Sequence, residues 1–75
     1  MIKLKDITQL KRILRGEDYD KIIVWKSGEW DLVTSSYIGE QDGETPVRII
    51  NRIFNHNLTY KQIDNLVADV QAELN

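Results

Sequence analysis

A chain of 75 residues with no cysteine excludes disulfides, thiolate metal sites and cysteine nucleophiles together, and leaves room for one hydrophobic core. Hydrophobic residues at 41% and charged residues at 29% are too apolar a mix for disorder, so one folded α+β domain over residues 1–75 is expected. The net charge of −2 lacks the basic excess of a dedicated nucleic-acid binder, although residues 1–28 carry +3 and residues 29–75 carry −5.

The N-terminus alternates charged with apolar residues, unlike a secretion signal. The longest apolar run, Ile22 to Trp25, is far below the roughly 20 residues of a membrane span, so a cytoplasmic protein without membrane association is expected. Asp6 and Gln9 have capping-box spacing ahead of Ile7, Leu10, Ile13 and Leu14, which predicts a first helix over about 6–15 with Lys11, Arg12 and Arg15 on its outer side. Tyr19 to Lys26 and Glu29 to Ser35 are rich in β-branched and aromatic residues and flank Ser27-Gly28, the pattern of a β-hairpin. A two-residue turn there pairs Lys26 with Glu29, Trp25 with Trp30 and Ile23 with Leu32. Tyr37-Ile38 is a candidate short third strand, followed by a polar acidic turn from Gly39 to Glu44.

Thr45-Pro46 ahead of Val47, Ile49, Ile50, Ile53 and Phe54 predicts a second helix over about 46–55, closed by Asn55-His56-Asn57. Thr59 and Gln62 form another capping-box spacing, and Ile63, Leu66, Val67, Val70 and Leu74 make the apolar stripe of a third helix with an acidic outer side. The expected fold is therefore helix, hairpin, helix, helix, with an antiparallel sheet packed on helices.

Catalytic chemistry finds little footing. His56, the one histidine, sits in a predicted turn with no nucleophile or orienting partner nearby. Glu40, Asp42 and Glu44 alternate like hard-cation ligands, but that loop and Asp18-Tyr19-Asp20 both lack the calcium-loop pattern of about twelve residues. The four glycines are isolated, so no phosphate cradle forms. No enzyme activity, metal or cofactor is expected.

In layout, helix, hairpin, helix, helix in an acidic chain is similar to small anti-CRISPR inhibitors and other phage-encoded proteins that block host enzymes. The likeness lies in element order and carries over no residues. The leading expectation is a non-enzymatic protein-binding module, an inhibitor or adaptor of phage or mobile-element type that blocks a partner's surface. Its surface would combine Trp25 and Trp30 beside the turn, rimmed by Glu29 and Asp31, with Tyr37 and the acidic residues Glu40, Asp42 and Glu44. The alternative for the tryptophans is core packing. The rival function is a small nucleic-acid-binding regulator using Lys11, Arg12, Arg15, Arg48 and Arg52, with the last two helices resembling a helix-turn-helix whose Asp64, Asp69 and Glu73 oppose phosphate contact. A homodimer burying the apolar hairpin face is a third expectation.

Overall fold

The structure is a computed structural model and describes residues 1–34 and 45–75. Helix α1, Ile7–Gly16, forms because its apolar residues recur at helical spacing: Leu10 and Leu14 are fully buried, with Ile7 and Ile13 packed at their margin. Its start differs from the capping box expected at Asp6. Asp6 takes a left-handed conformation, φ 49°, and its side chain makes no cap bond, because the usual cap geometry needs an extended backbone there. At the other end Glu17, φ 55°, donates its N–H to the Ile13 carbonyl at 3.0 Å, the left-handed closure that glycine usually supplies.

Three strands follow, β1 (Lys21–Val24), β2 (Trp30–Val33) and β3 (Arg48–Asn51), in the sheet order β2-β1-β3, with β1 antiparallel to both neighbours. Ile22, Ile23 and Val24 of the central strand are all fully buried. A strand covered on both faces shows no polar alternation, which is why this segment reads as a continuous apolar run.

The hairpin exists as expected, but its register is one residue away from the two-residue-turn pairing. Val24 faces Trp30, Ile23 faces Asp31 and Ile22 faces Leu32. The cause is a three-residue loop, Lys26 to Gly28, closed by the Trp25 N–H donating to the Glu29 carbonyl at 2.9 Å. Gly28 adopts φ 89°, the left-handed position such loops require. A slip of one residue exchanges the faces of one strand relative to the other. Trp25 therefore shares a face with Ile23 and Asp31, while Trp30 lies on the opposite face with Val24, and the two indoles are not a cross-strand pair.

The second helix expected over 46–55 is instead strand β3 and a single 3-10 turn, Arg52–Phe54. The spacing of Val47, Ile50, Ile53 and Phe54 suits a helix, but the β-branched run fits the open edge of β1 better, where Ile50 lies opposite Ile22 and becomes 1% exposed. Among the described residues the layout is thus helix, three strands, helix, and both the helix-turn-helix comparison and the likeness to anti-CRISPR layouts lose the element they relied on. The candidate strand at Tyr37-Ile38 lies outside the described residues.

Helix α2, Tyr60–Glu73, follows the expectation closely. Thr59 Oγ1 accepts the Gln62 N–H at 3.1 Å, and the Gln62 side chain accepts the Thr59 N–H at 2.8 Å. Ile63, Leu66, Val67 and Val70 of α2, with Leu74 just beyond it, join Leu10, Leu14, Tyr19, Ile22, Val24 and Ile50 in one core, so the two helices cover the Ile22–Val24–Ile50 face of the sheet. The N-terminal arm completes that core with Leu4. Gln71 grips the arm from α2, accepting the Leu4 N–H at 2.7 Å and donating to the Ile2 carbonyl at 2.6 Å. No helix of the described residues is long and apolar enough to cross a membrane.

Candidate binding surface

Residues 51–60 join β3 to α2, and asparagines set their path. The Asn51 side-chain oxygen accepts the Ile53 N–H at 3.2 Å, and Asn55 Nδ2 donates to the Asn51 carbonyl at 2.8 Å. Such local side-chain bonds offer the backbone an alternative to a continuous helix. Two contacts then fasten the turn to the α1–β1 connection. The Tyr19 hydroxyl donates to the Asn55 carbonyl at 3.4 Å, and the Asn57 N–H donates to Glu17 Oε2 at 3.1 Å, with Asn57 itself left-handed at φ 56°.

Pinned in this way, Ile53 and Phe54 cannot turn into the core and remain 66% and 81% exposed, and Tyr60, first residue of α2, is 69% exposed. The Arg15 guanidinium lies over the Tyr60 ring, 5.1 Å from its centre, a cation–π contact that joins the last turn of α1 to the first of α2. Between them an open groove of about 320 Å³ is lined by Arg15, Leu58, Thr59 and Tyr60, with Leu58 packed against the core below. The groove therefore presents apolar and aromatic side chains beside a cation, a composition typical of contact hot spots.

Of the residues expected to form a surface at the hairpin, Trp25 and Asp31 meet on one sheet face and Trp30 lies on the other. Trp25 is buried, and its indole N–H donates to Asp31 Oδ2 at 2.9 Å across the face that also carries Ile23. Trp30 is partly buried against the core, its indole N–H donating to the Lys5 carbonyl at 2.7 Å. Glu29 is exposed and pairs with Lys5 at 3.3 Å. Tyr37, Glu40, Asp42 and Glu44 lie outside the described residues.

The five cations of the nucleic-acid reading are also divided. Lys11 pairs with Asp64 at 3.0 Å, and Arg48, on β3 rather than on a helix, pairs with Glu73 of α2. Arg12 is exposed, Arg15 stacks on Tyr60, and Arg52 begins the 3-10 turn. Among the described residues no group of three or more histidines, aspartates or glutamates comes together that could hold a metal ion. His56 is exposed, with Nδ1 3.2 Å from Asn57 Nδ2.

The fold perturbs the ionisation of Tyr19. Burial raises the phenol above the ordinary tyrosine value; Glu17 adds to the rise and Arg52 opposes it. Its role is structural, since its hydroxyl ties the α1–β1 connection to the 51–60 turn.

Sequence reasoning placed Ile53 and Phe54 on the inner side of a helix and so missed them. The asparagines at 51, 55 and 57 were the available signal, because three in seven residues favour caps and turns over helix interior. No protein-family profile, no curated protein and no solved structure matches this chain.

Proposed function

We propose that this chain is a non-enzymatic protein-binding module that acts, as an inhibitor or adaptor, by occupying a partner's surface through the β3–α2 connection, with Ile53, Phe54, Leu58 and Tyr60 as contacts and Arg15 over Tyr60. The observation that carries this reading is the exposure of Ile53, Phe54 and Tyr60, 66–81%, on a turn held in place by hydrogen bonds to its own backbone and to α1. Folding leaves bulky apolar groups out of the core at a cost in unburied area, and their fixed presentation lowers the ordering penalty of a later contact.

The reading moves the contact surface from the hairpin, where both tryptophans support packing, to the β3–α2 turn. It also weakens the nucleic-acid alternative, because Lys11 and Arg48 are each already matched by a carboxylate.

The test is affinity capture from the native cell lysate with nuclease present, comparing the wild type with Phe54→Ala/Tyr60→Ala. Both side chains are mostly exposed, so the double variant should keep its stability within about 1 kcal/mol. The expected result is one stoichiometric protein retained by the wild type and lost from the variant. Equal capture by both, or retention that depends on nucleic acid, would count against the proposal.

A further inference from the structure

We infer that the Arg15–Tyr60 groove receives an acidic side chain of the partner polypeptide, with a neighbouring bulky apolar residue packed on Leu58. This rests on the protein-binding reading above and names the chemistry of its partner.

The argument starts from which cations are matched. Lys5, Lys11 and Arg48 each have a carboxylate in salt-bridge contact, namely Glu29, Asp64 and Glu73. Arg15 has none among the described residues, and its guanidinium lies over the Tyr60 ring. Glu17, two residues further along the chain, is occupied in accepting the Asn57 N–H at 3.1 Å. A guanidinium stacked over an aromatic face is held in orientation while its in-plane N–H groups stay free, the arrangement that accepts a carboxylate through two parallel bonds. The apolar floor at Leu58 reduces screening of such a pair relative to open solvent. A volume of about 320 Å³ is at the lower end for ligand pockets and suits one or two side chains better than a larger ligand.

Other occupants fit less well. A two-fold contact with its axis through the groove would set Arg15 against its own copy, a like charge. Tracking a phosphate backbone needs several unmatched cations in a row, whereas on α1 Lys11 is matched by Asp64 and only Arg12 stands exposed one turn before Arg15.

The test is selection of short random peptides on the full chain, followed by affinity measurements on wild type, Arg15→Glu, Arg15→Lys and Tyr60→Ala. The expected outcome is enrichment of Asp or Glu next to Leu, Phe or Trp. Arg15→Glu should weaken binding about tenfold or more, and Arg15→Lys should weaken it less. Selection repeated on Arg15→Glu should favour Lys or Arg at the same peptide position. Enriched peptides that lack acidic residues, lose affinity with Tyr60→Ala and ignore Arg15→Glu would overturn the acidic assignment while leaving protein binding at this surface intact. Failure to enrich any peptide sensitive to Tyr60→Ala would overturn both readings. Tighter binding of a single-stranded oligothymidine, lost in Arg15→Glu, would overturn them in favour of nucleic acid.

Discussion

Gly28 shows how one residue determines the hairpin. It sits at φ 89°, and a Cβ built there would come 2.2 Å from the Lys3 carbonyl oxygen, so both the loop conformation and the passage of the N-terminal arm need glycine. Gly28→Ala should destabilise the protein by about 1–3 kcal/mol, read as a lower denaturant midpoint. Tyr19 gives a residue-level prediction in pH. Its folded pKa is raised above the unfolded value of about 10, so its contribution is complete below that pH and is lost as the pH rises through the folded value. The wild type should therefore lose stability more steeply than Tyr19→Phe as the pH rises above about 10, measured by denaturant unfolding at fixed pH steps. Parallel curves for the two proteins would remove Tyr19 from that role.

Among the elements, α2 and α1 begin in opposite ways and should respond differently to substitution. Thr59→Ala removes one half of a formed capping box and should cost about 1 kcal/mol. Asp6→Gly removes no cap bond and relieves a left-handed aspartate, so it should be neutral or stabilising by up to about 1 kcal/mol. Thermal unfolding of the two variants checks both signs. The same contrast explains what the sequence revealed. Spacing identified α1 and α2 because their apolar stripes run for two turns or more and exceed any local ambiguity. It located the hairpin but not its register, since Ser27-Gly28 is compatible with loops of two or three residues and the choice depends on where the N-terminal arm passes. It misread 46–55 because a short segment of Val and Ile satisfies helical and strand spacing alike, and the deciding factor was the unpaired edge of β1, which no local pattern records. The candidate surface was hidden for the same reason: once 46–55 is taken as helix, Ile53 and Phe54 point inward.

At the scale of the whole molecule, a chain this small has little apolar area to spare, and its described residues bury no polar or charged side chain. Its core is closed by an arm at one end of the chain and a helix near the other, Leu4 meeting the side chain of Gln71 through backbone bonds to Ile2 and Leu4. Against that economy the outward placement of Ile53, Phe54 and Tyr60 stands out, and the account assigns it to partner contact. Site-specific photocrosslinking tests this most directly, with a benzoyl-phenylalanine replacing Phe54 in one preparation and Ala68, exposed on α2, in another. The account predicts one dominant crosslinked protein from position 54 and little from position 68. Equal labelling at both positions, or crosslinks confined to position 68, would contradict it.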